Sequence, residues 1–471
     1  MIKFYNTLTR RIDEFVPLNP PEVKMYSCGP TVYWNQHIGN MYAYVHWDVL
    51  VRFLQFQGFK VKWVMNITDV GHMTSDEDFG EDKMEKGAKR EGLSVWEIAE
   101  KYTHQFLESF DLLNIRRPDV LPRATEHIQE QINLIKKIEE NGFTYKTRTG
   151  LVFDTSKFPD YAKFGRLNLK AQEAGSRVEV DPDKKKPWDF LLWVTNQPTH
   201  IMQWDSPWGK GFPGWHIECT AISTKYLGEQ FDIHTGGKEH IPVHHTNEVA
   251  QAYSAFGRQT ANFWLHNEWL TINQEKVSKS LGNTLLVTDI IKKGYKPMHL
   301  RYLFLGSHYR TGLNFTWESL DAARTAYEKL AQLLTGWNKE RKGERTTLFT
   351  EDLGKIDKAR EKFILALSTD LNLPEALAVV WEVSKSNLPD PDKLDLILGF
   401  DEVLGLRLAT QTKVLVAIPK GIEALAKKRE ELRKKGEWQE ADKLRKRIEG
   451  AGFIMEDTAA GPKPKKKDQF Y

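Results

Sequence analysis

The spacing of apolar positions changes in a regular order along the chain. Val23–Ser27 (VKMYS) is a short apolar run that predicts a strand, Met41–Phe56 carries its apolar residues at helical spacing, and Val61–Asp69 (VKWVMNITD) predicts a second strand. Strand, helix and strand at these intervals predict a parallel sheet of the doubly wound type, with its ligand crevice at the carboxyl ends of the strands. Thr125–Asn141 then turns helical, while Leu151–Phe153 and Arg177–Val180 read as irregular strand and loop material, so Leu121–Asp205 is taken as an insertion. Pro213–Leu227 (helix), Phe231–Thr235 (strand) and Ile241–Phe256 (helix) resume the α/β pattern. Beyond about Pro297 the chain is mostly amphipathic helix, as in Asp321–Leu334, with a charged linker at Asn338–Thr347. The low-complexity GPKPKKK near the end predicts a flexible tail, and no internal repeat is seen.

Composition narrows the function classes. At 471 residues, with 40% hydrophobic and 28% charged residues, the chain has the make-up of an ordinary soluble protein of about three domains. No apolar run approaches the ~18 residues of a membrane span, and MIKFYNTLTRR lacks the apolar stretch of a signal peptide, so the expectation is a cytosolic protein with no membrane partner. The two cysteines, Cys28 and Cys219, are too far apart to suggest a disulfide scaffold, which leaves metal binding or catalysis. Net charge is +3 overall, yet Gln411–Tyr471 holds 16 Lys and Arg against 10 Asp and Glu. That segment is suited to polyanions.

Two constellations carry chemistry. Cys219 follows Glu218 on one predicted helix, and His244 and Glu248, four apart on another, project from one face. With Cys28 they make two thiolates, an imidazole and a carboxylate, a donor set that a borderline-soft ion such as zinc accepts. Spacing alone leaves the bland alternative open, since a buried cysteine is usually a small hydrophobe and His244 could be a satisfied core histidine. The second constellation is His37-Ile38-Gly39-Asn40 at a helix start, where Gly39 allows close backbone approach and exposed N–H groups favour an anion. Far downstream, EKVSKSLGN (Glu275–Asn283) offers Lys276 and Lys279 with Ser278 and Ser280, ammonium groups able to neutralise charge on a transferred phosphate chain. Read alone, that segment could equally be a solvated charged loop.

HIGN with KVSKS resembles the HIGH and KMSKS signatures of class I aminoacyl-tRNA synthetases. CGPTVY, NITD, PRATEHI, AGSRVEVD, GWHIEC, HHTNE and GSHYR, in this order and at these intervals, resemble the cysteinyl-tRNA synthetases in particular, from about Ile2 to Glu456. The resemblance implies a Rossmann-like catalytic domain in two halves, 1–120 and 206–275, around a connective insertion at 121–205. It implies a lysine-loop and stem-contact region at 276–337, a helical bundle at 338–410 and an anticodon-binding region with a basic tail at 411–471. It also implies an ATP-dependent ligase that makes cysteinyl-adenylate and passes the cysteinyl group to cysteine tRNA, acting as a monomer on L-cysteine, ATP and that tRNA. One zinc ion held by Cys28, Cys219, His244 and Glu248 would select the substrate thiol, and Mg2+ would accompany ATP. His37, Asn40, Lys276 and Lys279 are the implied catalytic residues, with Gly39 and Ser278 completing the ATP site. Thr31, Thr68 and Trp215 are pocket candidates, against the alternatives that Thr68 caps a turn and Trp215 is core. Arg429, Arg433 and Trp438 are implied to meet tRNA, through phosphates and by stacking on an unpaired base. No editing domain is implied. A related ligase joins activated cysteine to an amino-sugar, but it lacks the region resembled by Gly421–Thr458.

The sequence departs from the pattern in places. Asn40 stands for the last histidine of the first signature, Val277 for the methionine of the second, and Glu239 with His240 for an Asp-containing pattern. Gly71–Gly92 is longer than usual and acidic near its start, and is expected to be a surface loop.

Overall fold

The computed structural model describes residues 1–72, 82–169, 183–277, 283–340, 350–411, 420–434, 437–451, 453–458 and 461–466. The chain divides into two compact units, Met1–Leu408 and Ala409–Tyr471. At the heart of the first is a parallel sheet with strand order Ala261–Asn267, Phe231–Gly237, Glu22–Ser27, Lys60–Met65. Successive residues of these strands face different cores: Met25, Met65 and Leu265 join one buried cluster, and Tyr26, Val64 and Trp264 another. Burial on both faces is why the strands read as nearly continuous apolar runs.

The strand order places the crevice. From Glu22–Ser27 the chain crosses through the helix Ile38–Phe56 to Lys60–Met65 on one side, and later returns as Phe231–Gly237 on the other. The topology reverses between Glu22–Ser27 and Phe231–Gly237, so their carboxyl ends, at Cys28 and Gly236-Gly237, flank the position where open α/β sheets bind ligands.

The insertion is more regular than expected. Thr144–Lys146, Gly150–Phe153, Phe190–Thr195 and Gly211–Pro213 form an antiparallel sheet in that order, while Arg177–Val180 lies outside the described residues. Phe190–Thr195 is FLLWVT, buried at all six positions, so it has no alternation to reveal it. The expected surface loop at Gly71–Gly92 is corrected in its second half. Lys83–Glu91 is a helix, N-capped by Asp82, whose side chain accepts from the Glu85 amide, and it buries Met84, Gly87 and Ala88. Residues 73–81 lie outside the described residues.

Helices dominate after Pro297, including Pro297–Leu305, Trp317–Glu340, Thr350–Ser368, Leu373–Lys385 and Asp390–Leu404. The sheet-bearing part is joined to them by a buried ion cluster. Asp48, on Ile38–Phe56, accepts from Arg52 Nε at 2.8 Å and from an Arg301 Nη2 at 2.6 Å, and Arg301 also donates to the Leu404 carbonyl. The second unit pairs the helices Lys420–Lys434 and Trp438–Gly450 over a small core of Ile422, Ala426, Ile448 and Phe453. The expected flexible tail is corrected here, because Gly461–Lys466 pairs antiparallel with Phe453–Thr458.

Candidate metal and nucleotide site

Cys28 leaves the end of its strand with its amide donating to the Thr235 carbonyl (3.1 Å), which ties it to the neighbouring strand across the switch point. Cys219 lies one turn into the helix Trp215–Leu227. His244 sits in a π-helical turn, Ile241–His245, that runs into the helix Thr246–Phe256 carrying Glu248. Four ligand atoms from these three places converge, all within 4.8 Å of one another. Cys28 Sγ lies 4.0 Å from Cys219 Sγ and 4.0 Å from Glu248 Oε1, and His244 Nε2 lies 3.0 Å from Glu248 Oε1. Two thiolates on one tetrahedral zinc stand about 3.8 Å apart, so the sulfur spacing already matches ligation.

The electrostatics fit a cation as well. Burial, helped by the neighbouring Cys219, pushes the Cys28 thiol well above its ordinary value, and burial pushes the Glu248 carboxyl up. Burial likewise holds the His244 imidazole well below its ordinary value. On their own these groups are a thiol, an acid and a neutral ring; a dication reverses the first two, because ligation takes the deprotonated forms. His244 is oriented from behind by His216, Nδ1 to Nδ1 at 3.0 Å, as ligating histidines usually are. Burial lowers His216 to about 3, so it stays neutral.

Apart from Thr68, the groups behind the sulfurs are not singled out by the sequence. Asn66 Oδ1 accepts from the Gly29 amide (2.9 Å) and lies 3.8 Å from Cys219 Sγ, which spans the two cysteine segments. Thr68 donates its hydroxyl to Glu218 (2.8 Å), whose other oxygen meets His72 Nε2 at 2.6 Å. His234 and His245 are also close to Cys28, at 3.5 and 3.1 Å from its Sγ. The doubled histidine of HHTNE was the signal for His245: four-residue spacing selects His244, and the wider π turn aims both rings at Glu248.

A pocket of about 350 Å³ opens above the cluster, within the small-molecule range. Its walls include Cys28, Thr31, His37, Gly39, Asn40, Thr68, Trp215, Cys219, His244 and Lys276. Trp215 is a half-buried wall, its ring 4.4 Å from that of His244. Thr31 and Thr68 bridge as parallel backbone partners. Glu239, which the sequence marks as a departure, also lines the pocket and accepts from the Trp269 indole at 2.9 Å.

At the other end, HIGN caps a helix. His37 is the N-cap of Ile38–Phe56: its Nδ1 accepts from the Gly39 amide (3.1 Å), while Asn40 Oδ1 accepts from the His37 amide (3.1 Å). An accepting Nδ1 leaves the ring proton of the neutral imidazole on Nε2, a donor at the positive end of the helix. Asn40, standing where the signature has histidine, thus closes a reciprocal cap. Lys276 lies in the short strand Glu275–Lys276, its ammonium 4.6 Å from the Trp269 ring centroid. Ser278 and Lys279 lie outside the described residues.

In the second unit Trp438 is 60% exposed, with the Arg433 guanidinium 5.8 Å from its ring. Arg429 is buried and paired with Glu430 at 2.7 Å.

Residues 14–325 match the family model described as tRNA synthetases class I (C) catalytic domain. Among similar curated proteins, the chain is 44% identical to cysteine–tRNA ligase 1 of Burkholderia lata, over 98% of this chain and 96% of that one. It is 43% identical to the cysteine–tRNA ligase of Treponema denticola, over 97% and 98%. In three dimensions it resembles methionyl-tRNA synthetase of Mycobacterium tuberculosis solved with methionyl-adenylate, with TM-score 0.61, 14% identity and coverage of 85% and 94%. That likeness speaks for the fold.

Proposed function

The chain belongs to the cysteine–tRNA ligases of class I, and from that premise we propose that its buried Cys28, Cys219, His244 and Glu248 hold a zinc ion that chooses the amino acid. The enzyme joins L-cysteine to cysteine tRNA at the expense of ATP. The observation that carries the zinc assignment is the convergence of two thiols, an imidazole and a carboxyl within 4.8 Å at the floor of a pocket. When bound there, zinc supplies a soft Lewis acid that a thiol satisfies and the serine hydroxyl does not. Rejecting an isostere by ~10⁴ takes roughly 5.5 kcal/mol, more than a methylene-scale difference gives and within reach of metal–sulfur selection.

The chain's own residues do the rest. Trp215 walls the amino-acid pocket, with Thr31 and Thr68 beside it, and the Glu239 carboxylate, held by the Trp269 indole, faces the substrate ammonium. The carboxylate of cysteine attacks the α-phosphate of ATP, forming the mixed anhydride while pyrophosphate leaves. The 3′-terminal ribose hydroxyl of the tRNA then takes the cysteinyl group and AMP departs. His37 through Nε2–H, the amides around Gly39 and Asn40, Lys276 and, from the following segment, Ser278 and Lys279 neutralise the phosphates along that path. Mg2+ accompanying the nucleotide would add positive charge beside these groups. No protein nucleophile is required, so the residues work by position and field.

The exposed Trp438 and Arg433, whose guanidinium lies 5.8 Å from that ring, are the favoured RNA contacts of the second unit, and Arg429 supports that helix from its buried pair with Glu430. Both cysteines are free, which suits the reducing cytoplasm. No helix among the described residues is long and apolar enough to cross a membrane. The test is cysteine-dependent exchange of pyrophosphate into ATP, with and without a chelator: exchange should fall with zinc content and recover on its return. Unchanged exchange in metal-free enzyme removes the zinc assignment while leaving the ligase reading to tRNA charging.

A further inference from the structure

Beneath the pocket floor a second set of donors shares two members with the first. Cys28, His234, His245 and Glu248 offer four ligand atoms within 4.8 Å of one another. Cys28 Sγ lies 3.1 Å from His245 Nε2 and 3.5 Å from His234 Nε2; Glu248 lies 3.7 Å from His234 Nε2 through Oε2 and 3.8 Å from His245 Nε2 through Oε1. The edges of a tetrahedral zinc site run about 3.3 Å between nitrogen or oxygen donors and about 3.6 Å from sulfur to nitrogen, so the observed edges lie within about 0.5 Å of ligation.

Both rings are held in that aim. His245 Nδ1 meets His266 Nε2 at 2.7 Å, and His266 Nδ1 meets the Thr7 hydroxyl at 2.7 Å, a relay of the kind that fixes the tautomer and direction of ligating histidines. His234 is fixed by stacking on Trp264, 4.2 Å between ring centroids and 16° between planes. The two sets differ in depth. Cys219 and His244 line the pocket, whereas His234 and His245 have no exposed surface.

We propose that the metal has two mutually exclusive positions: an upper one on Cys28, Cys219, His244 and Glu248, open to the pocket, and a lower, closed one on Cys28, His234, His245 and Glu248. In the lower position the two imidazoles have no exposed surface and do not line the pocket, so an ion there is retained but meets no substrate thiol. The upper position rests on the reading above, whereas the lower one stands on the geometry of its own four donors.

Cobalt(II) substitution separates the two, because tetrahedral cobalt absorbs strongly in the visible and its sulfur charge-transfer band grows with each thiolate. The metal-stripped full chain carrying Cys219→Ala and His244→Ala, which keeps only the lower set, should bind one cobalt ion per chain with a tetrahedral spectrum and a one-thiolate band. Adding His245→Gln should abolish that spectrum. A folded double variant that binds no cobalt, or binds it with the weak bands of octahedral cobalt, overturns the proposal, as does a tetrahedral spectrum that survives His245→Gln. If the alanine pair does not fold by circular dichroism, the bulkier Cys219→Ser and His244→Gln pair is read in the same way. The upper position is judged separately by the unsubstituted enzyme. A two-thiolate band that acquires a third on adding cysteine supports it, whatever the double variant does.

Discussion

Gly29 offers the sharpest test of the idea that the cysteine segment is placed by backbone contact. A Cβ at this position lands 1.5 Å from the Asn66 carbonyl oxygen and 3.2 Å from Met65 Cγ, where real side-chain carbons come no closer than 3.0 Å to such atoms. Gly29→Ala therefore forces the two segments apart by at least about 1.5 Å, the shortfall of the 1.5 Å contact from the 3.0 Å limit. The movement falls on the residue next to Cys28 and on Asn66, the residue that reaches both cysteine segments. Metal–ligand distances tolerate about 0.2 Å, so a displacement several times larger removes Cys28 from the ligand set. A misplacement of 1 Å costs on the order of 10²-fold in rate, and the variant should lose at least that much cysteine-dependent pyrophosphate exchange. The assay pairs exchange with zinc content by atomic absorption after dialysis, and a thermal melt shows that the chain is folded. Gly336→Ala, in a helix where an added methyl meets nothing within 4 Å, is the control and should be neutral or gain up to about 1 kcal/mol. A folded Gly29→Ala enzyme with one zinc per chain and exchange within about threefold of the parent would refute the placement argument.

Three further outcomes follow from particular contacts. Cys219→Ser, 4.0 Å from Cys28 across the cluster, should weaken cysteine activation and narrow the cysteine-to-serine ratio in exchange assays, while cysteine tRNA still binds in a filter assay. Asp48→Asn leaves the buried guanidinium groups of Arg52 and Arg301 without their shared counter-charge and should cost about 3–5 kcal/mol in urea denaturation; a loss under 1 kcal/mol contradicts the ion-cluster account. His46 is fully buried, and burial lowers it from 6.5 to about 4, so between those values the unfolded chain binds the proton and the folded chain does not. Stability then falls as pH drops from 6.5 to 4, by roughly 3 kcal/mol for this one group, and His46→Gln should flatten that part of a melting-temperature profile.

How much was legible in the sequence depended on whether a signal was local. The parallel strands announced themselves because VKMYS and VKWVMNITD are buried on both faces, and HIGN because a helix cap is written within four residues: His37 accepts from Gly39, and Asn40 answers back. The insertion's strands were harder to read, since Phe190–Thr195 has no alternation and pairs with a partner about 40 residues earlier. The metal cluster was legible only through resemblance, because no spacing rule links a strand end at Cys28 to helices near 219 and 244; the parallel pairing of Ser27 with Thr235 makes that link. The same pairing explains what was missed. Tyr26 is in register with His234, and the π turn adds His245, so the pairing that brings His244 and Glu248 to Cys28 brings two more imidazoles beneath it. A periodicity read on ideal helices picks out His244 with Glu248 and passes over its neighbour. Donor sets that overlap through a shared cysteine and glutamate are therefore a consequence of strand register, and they become visible only when the sheet is assembled.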